Sequence, residues 1–393
     1  MKRIGIYGGA FNPPHIGHLK GASYALEALE LARLLMIPSC VSPHKPQPEN
    51  SPDSSQRLAM LRLAAEDPRI EVSDLELRRG GTSYTYETVE QIRSIYPDAE
   101  LILLMGTDMF LSFDHWRYPE RILQNASLAV MCRGDKAEKE SIQDKIPELE
   151  QLGAKIYVLE NPVNEISSTD LRRMLVFGCG DDYLQPEVAQ YIRENDLYTC
   201  ARSRKNLSMQ ALEKEVTSLL KPSRIPHVLG CRDTAVALAR IWGADETDAA
   251  RAGLLHDITK ALNTAQQFAL CRQYGVEIDD FSRRNPKILH AYTGALVAKR
   301  IFGENDAVVD AICTHTAGKA GMNILQKIIY VADYMEPNRD FDGVEELRRL
   351  AHTDIDKALK MGLDWATDIL RQQGREISPE SLAAMEELTR KGI

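Results

Sequence analysis

The sequence predicts two units of different class: an α/β unit with a parallel sheet, followed by an all-α unit. Three observations carry this. Through residue 198, short apolar runs at 3–7, 34–38, 70–73, 101–105, 126–132 and 156–159 alternate with helical stretches, as βαβ units require. Beyond residue 206 almost every apolar residue recurs at helical spacing. The charge balance changes at the same place, with 21 Lys+Arg against 30 Asp+Glu in residues 1–200 and 27 of each in 201–393. A chain of 393 residues is also too long for one ordinary core. The expected boundaries are 1–200 and 207–393, with the polar stretch 201–206 as linker.

Composition narrows the function classes. The net charge is −9 and neither half is basic, so no sequence-independent nucleic-acid binding is expected and phosphates must be met by local clusters. No apolar run approaches the ~18 residues of a membrane span, and Met1-Lys2-Arg3 leads into a strand instead of a signal segment. A cytoplasmic protein without membrane partners is expected. The seven cysteines are scattered with no Cys-x-x-Cys pair, which argues against a disulfide framework and against a zinc ribbon.

The first apolar run ends in Gly8-Gly9-Ala10-Phe11-Asn12-Pro13-Pro14-His15-Ile16-Gly17-His18, and helical spacing follows over 19–35. This is a strand-loop-helix corner. Gly8 and Gly9 let backbone approach a ligand, and the N–H groups of the following helix start attract phosphate oxygens. His15 and His18 are spaced to share one helix face and reach that phosphate together. Later loops lie where the top of a parallel sheet places them. Pro43-His44-Lys45 follows the second run, Gly106-Thr107-Asp108 the fourth, and Ile166-Ser167-Ser168-Thr169-Asp170-Leu171-Arg172 opens a helix after the last. Ser167 to Asp170 alone reads as an ordinary helix cap, and Trp116 alone as packing. The ordered set argues for more.

These motifs resemble the nucleotidyltransferase superfamily with the His-x-Gly-His signature. With Thr82-Ser83-Tyr84-Thr85 and Asp114-His115-Trp116-Arg117-Tyr118 added, residues 1–200 resemble bacterial nicotinate-nucleotide adenylyltransferase. The resemblance implies a Rossmann-like nucleotidyltransferase domain whose partners are ATP, carried with Mg²⁺, and nicotinate mononucleotide. It also implies residue roles. His15 and His18 act on the α- and β-phosphates as catalytic groups, and Ser167, Ser168 and Arg172 hold the β- and γ-phosphates. Gly8, Gly9, Phe11, Lys45, Gly106 and Asp108 line the nucleotide and phosphate positions. Trp116 faces the pyridine ring, and Thr85 lies near the nicotinate carboxylate. Ala10 stands where the family often has Ser or Thr, so one hydroxyl is missing.

In the second half, helical spacing runs over 209–220, 231–242, 249–255, 265–274, 291–301, 307–314, 324–332, 344–351 and 354–373. Of the nine histidines, His227, His256, His290 and His315 fall here with Asp257 and Asp333. An adjacent His256-Asp257 pair in an apolar stretch is costly unless each group finds a partner, and a divalent cation supplies one. Imidazole and carboxylate ligands suit Fe, Mn, Zn or Co, and these six are enough for two ions. The set resembles the HD-domain metal phosphohydrolases, which are all-helical. Leu254-Leu255-His256-Asp257-Ile258-Thr259-Lys260, His315-Thr316-Ala317-Gly318 and the stretch from Lys327 to Arg339 further resemble the bacterial HD family that splits diadenosine tetraphosphate symmetrically into two ADP. That resemblance implies metal-assisted hydrolysis, with iron or else Mn or Co as the metals. Lys260 is then placed beside the substrate phosphate as a catalytic group, and Arg339 as a weaker phosphate contact. Metal ligands leave the substrate to the pocket, so another nucleotide is the alternative substrate. A nucleotide-sensing module that regulates the transferase is the alternative role, and homo-oligomer formation is left open.

Overall fold

The computed structural model describes residues 2–43, 48, 51–132, 136–160, 166–198 and 203–393. His44, Lys45 and residues 201–202 of the expected linker lie outside the described residues. The chain divides into two compact units, Met1–Cys200 and Ala201–Ile393.

The first unit is built on a six-stranded sheet of β1 (Arg3–Gly9), β2 (Arg33–Pro38), β3 (Ile70–Val72), β4 (Glu100–Gly106), β5 (Ser127–Cys132) and β6 (Ile156–Glu160). Every pairing is parallel, in the order β3-β2-β1-β4-β5-β6. The winding direction reverses between β1 and β4, and the carboxyl ends of those two strands flank the crevice where ligands of such sheets bind. Alternation along the strands divides the core. Ile4, Ile6, Leu101, Leu103 and Met105 pack with Val89, Ile92 and Phe110 on one face. Leu34, Met36, Ile102 and Leu104 pack with Ala22, Ala25 and Leu26 on the other.

One expectation is corrected here. The helix after the glycine-histidine loop spans Ile16–Ala28, not 19–35. The chain turns at Glu30, which has a φ of +51°, and enters β2 at Arg33. Leu29, Leu31, Leu34 and Leu35 are all buried, but in a turn and a strand. Their apolar spacing mimics a helix because a strand covered on both faces carries no alternation.

The second unit is mostly helical and holds no strand among its described residues. Its core is formed by helices Ile225–Trp242, Glu246–Leu255, Leu289–Val297, Asp306–Thr314 and Ile324–Met335. Two glycines set close crossings among them. A Cβ at Gly253 would lie 2.7 Å from Arg232 Cα, and one at Gly294 would lie 3.2 Å from the His256 carbonyl oxygen. Two of these boundaries move relative to the sequence reading. The helix expected at 231 begins at Ile225, because Pro226 is compatible with a first turn, so His227 is helical. The helix expected to end at 332 runs to Met335, so Asp333 is also helical. The helix before His256 ends at Leu255, as the spacing over 249–255 places it, and Lys260, which its spacing would set on one helix face with Asp257, lies with His256 and Asp257 on the turn that follows. A further helix, Pro379–Arg390, was not expected; its signals were Ser378 at the cap and proline behind it. No helix among the described residues is long and apolar enough to cross a membrane.

Candidate active sites

In the first unit, β1 runs out through Gly8 and Gly9. A Cβ on Gly8 would meet nothing within 4 Å, whereas one on Gly9 would lie 3.3 Å from the Phe11 ring. Phe11 adopts a φ of +46° and is buried, edge-on to Tyr7 and His18 at centroid distances of 5.5 and 5.1 Å. Its side chain therefore supports the loop from below. His15 caps helix Ile16–Ala28: its Nδ1 accepts from the Gly17 N–H at 3.1 Å. The His15 N–H in turn donates to His18 Nδ1 at 3.3 Å, and the two rings lie 3.8 Å apart. With both Nδ1 atoms accepting, these bonds assign the proton of each neutral ring to Nε2. Burial, and after it the proximity of His15, lowers the His18 pKa well below its ordinary value, so the ring is neutral.

Helix Ser168–Val176 meets this loop. Arg172 donates to the Asn12 carbonyl at 2.7 Å and the Ser168 hydroxyl to the Pro13 carbonyl at 3.4 Å. Ser167 is different. Its hydroxyl accepts from the Asp170 N–H at 3.1 Å and donates to Asp170 Oδ2 at 2.7 Å, so this side chain is taken up by capping. Gly106 ends β4, and the exposed Asp108 follows in the first turn of helix Thr107–Leu111. Thr85, at the start of helix Thr85–Ile95, and Trp116 line one cavity of about 270 Å³ together with Pro43, Tyr84, His115 and Arg117.

The sequence reading passed over Arg57. It lies on helix Ser54–Ala64 and is 1 % exposed, yet it donates only to carbonyls: Ala10 at 2.8 Å, Ser39 at 2.7 Å and Cys40 at 3.4 Å. Its spacing from Met60, Leu61 and Ala64, which share the buried face, was the available signal.

In the second unit the six expected ligands form two triads, His227/His256/Asp333 and Asp257/His290/His315. His227 Nε2 lies 3.2 Å from His256 Nε2 and 3.1 Å from Asp333 Oδ1. His290 Nε2 lies 3.2 Å from His315 Nε2 and 3.4 Å from Asp257 Oδ1. Asp257 faces both triads, because its Oδ2 stands 3.5 Å from His256 Nε2 and 3.7 Å from His227 Nε2. All four rings are oriented from behind. The Nδ1 atoms of His256, His290 and His315 donate to the carbonyls of Gly253 (2.8 Å), Lys287 (2.7 Å) and Ile312 (2.6 Å), and that of His227 to Glu336 Oε1 (3.1 Å).

That arrangement fits divalent cations. With Nδ1 protonated, each Nε2 is a lone pair, and within each triad two such lone pairs face one another at 3.2 Å beside a carboxylate. They repel unless a cation lies among them. Burial pushes His256 down to about 4 and His290 to about 3, which keeps those lone pairs free of protons. Burial alone would raise Asp257 and Asp333. Both carboxyls nonetheless lie well below the usual range, so they stay anionic beside those lone pairs.

Three cationic side chains border the triads. Lys260 Nζ is 2.9 Å from His290 Nε2, Arg339 donates to Asp333 Oδ1 at 2.7 Å, and Arg224 Nε donates to Asp257 Oδ2 at 2.6 Å. Arg224 and Glu336 were both missed by the sequence reading.

The Cytidylyltransferase-like family model matches residues 6–174, a range that holds every site residue of the first unit discussed above. The probable nicotinate-nucleotide adenylyltransferase of Dictyoglomus turgidum is 36 % identical over 207 residues, 52 % of this chain and 99 % of that relative. The corresponding Aeromonas salmonicida protein is 39 % identical over 210 residues, 50 % of this chain and 96 % of the relative. The chain belongs to the nicotinate-nucleotide adenylyltransferase family. Unlike these adenylyltransferases, it continues into a second unit, where the HD domain model matches residues 224–338 and includes all six triad residues. A solved structure of a predicted HD superfamily hydrolase involved in NAD metabolism from Clostridium acetobutylicum is 36 % identical, covering 47 % of this chain and 98 % of its own, with a TM-score of 0.46. This adenylyltransferase family member thus joins a parallel-sheet nucleotidyltransferase domain to a mostly helical HD domain.

Proposed function

We propose that the first unit transfers AMP from ATP to nicotinate mononucleotide, giving nicotinate adenine dinucleotide and pyrophosphate in NAD biosynthesis. The observation that carries the reading is the identity to nicotinate-nucleotide adenylyltransferases over nearly their full length. The nucleophile, a phosphate, is already anionic and needs no strong base, so catalysis rests on alignment and charge. The Nε2–H groups of His15 and His18 donate to oxygens around the α-phosphorus as negative charge builds during in-line displacement. Ser168 and Arg172, already tied to the glycine-histidine loop, meet the β- and γ-phosphates together with Lys45, and Mg²⁺ travels with the triphosphate. Trp116 stacks on the pyridine ring in the cavity that Thr85 shares. Incubating the protein with ATP and nicotinate mononucleotide tests this. Absence of nicotinate adenine dinucleotide refutes it.

We further propose that the HD domain hydrolyses diadenosine tetraphosphate symmetrically to two ADP. The two adjacent triads, with Asp257 of one facing the other, support it, since phosphoanhydride hydrolysis gains from paired charges on both sides of the scissile bond. Divalent cations held there, with iron, manganese or cobalt as the metals, would activate water and neutralise phosphate oxygens. Asp257 holds the two triads in fixed relation, while Lys260, Arg339 and Arg224 offer positive charge to the bridging phosphates. Release of ADP from diadenosine tetraphosphate in the presence of Mn²⁺, Co²⁺ or Fe²⁺ is the test. Release from a mononucleotide instead would reassign the substrate.

A further inference from the structure

We infer that Arg57 is a positioning residue for the triphosphate: its buried guanidinium locks the loops that leave β1 and β2 and sets an unpaired positive charge behind the phosphate-binding face. The inference rests on reading the first unit as an ATP-using transferase. Arg57 bridges the carbonyl of Ala10, just past β1, to those of Ser39 and Cys40, just past β2. Those strand ends are already joined by the Ser39 N–H donating to the Gly9 carbonyl at 2.9 Å. Arg172 and Ser168 take the next loop carbonyls, Asn12 and Pro13, and Tyr198 donates to Asn12 Oδ1 at 2.5 Å. Carbonyls of the loop are thus engaged by protein donors, so these acceptor oxygens are not left to repel an anion.

Charge makes the second argument. A guanidinium 1 % exposed normally has a carboxylate beside it, because an unpaired buried charge is strongly destabilising. Among the described residues, no carboxylate lies within ion-pair distance of Arg57, and its Nε has no hydrogen-bond partner. Half-buried Arg172 likewise bonds only to a carbonyl and a hydroxyl. Two cations around one loop, neither in ion-pair contact with a carboxylate of the described residues, form a site that favours a polyanion.

The test uses the full-length protein and the Arg57→Ala and Arg57→Lys variants, with KM measured separately for ATP and for nicotinate mononucleotide. In Arg57→Ala, KM for ATP should rise about tenfold or more, the lower end of what a lost charged hydrogen-bond set costs, while that for the mononucleotide stays near wild type. Low millimolar guanidinium, with wild type as control, should recover most of that loss, and equimolar urea, which has similar donors but no charge, should recover much less. An unchanged KM for ATP, an equal rise for both substrates, or equal rescue by urea overturns the inference. Should Arg57→Ala fail to fold, Arg57→Lys decides: a rise confined to ATP supports the positioning role, and equal losses or none overturn it. A wild type that forms no nicotinate adenine dinucleotide overturns the transferase reading itself, and is seen before any variant is compared.

Discussion

Replacing Glu336 by Gln is a test of the HD site that changes no proposed ligand. Glu336 is 1 % exposed and uses both carboxylate oxygens: Oε1 accepts from His227 Nδ1 at 3.1 Å, and Oε2 accepts from the Asn338 N–H and side-chain amide, each at 2.8 Å. A Cβ on Gly230 would collide with Oε2, so the Gly230 backbone packs directly against that oxygen. Glutamine has one acceptor end and one donor end. Turned one way it faces the Asn338 donors with an NH₂ group, and turned the other way it faces the His227 Nδ1–H with one. Either way a buried donor is left unsatisfied at about 1–3 kcal/mol, and the charge that raises imidazole basicity is gone. That corresponds to about 10- to 100-fold weaker metal binding. The loss should fall on the triad containing His227 and spare Asp257/His290/His315. Competition against a chromophoric chelator with Mn²⁺ or Co²⁺ resolves this, and the expected result is one weakened site beside one of wild-type affinity. Equal weakening of both sites, or of neither, would refute the argument that Glu336 acts through His227.

The remaining predictions concern both units. His18→Ala should lower nicotinate adenine dinucleotide turnover by about 10²–10³-fold, with ATP binding changed far less, as single-turnover and equilibrium measurements on the same variant will show. Because burial lowers the His18 pKa below 6.5, the neutral ring persists on acidification, so kcat/KM should stay level as pH falls to that value and drop only beneath it; a decline centred above it contradicts a neutral donor. By linkage, stability of the first unit should also fall as pH drops below 6.5, because the unfolded chain takes that proton first. Lys260→Met should retain both metals, measured by elemental analysis, while ADP release falls about 10- to 100-fold; loss of metal instead would make Lys260 a structural partner of His290.

The parallel sheet was legible because each buried strand is a short apolar run between helical stretches, and the glycine-histidine corner because its residue types share a phosphate-binding rationale. Boundaries were less legible where burial on both faces of β2 removed the alternation that separates a strand from a helix. Arg57 stayed hidden for a related reason. An arginine in a mixed sequence reads as a solvated charge, and only the approach of two loop carbonyls, set by strand order that the sequence does not encode locally, reveals it as buried. At Ser167 the motif position suggests a phosphate ligand and the residue type suggests a cap, and the structure shows the cap, with Asp170 both donating to its hydroxyl and accepting from it.

The HD site divides along the same line. Its six converging residues could be read from their order, because histidines and aspartates amid apolar helices need partners. What orients them could not. His256 and His315 each follow the last residue of a helix, and each donates Nδ1 to a carbonyl three residues back, Gly253 and Ile312. Carbonyls in a last turn lack the N–H that a further turn would supply and can accept from a side chain, as Gly253 does, and Ile312 while also taking the His315 N–H at 3.4 Å. Ending the helices just before His256 and His315 thus directs both Nε2 lone pairs toward the triads with no additional side chain. His227 lies in the first turn of its helix, as His290 does in its own, but where His290 donates to the Lys287 carbonyl, His227 relies on a carboxylate, Glu336, from the far end of another helix. The reliance of one triad on a distant side chain, where its neighbour uses only backbone, is why a single substitution at Glu336 should separate the two metal affinities.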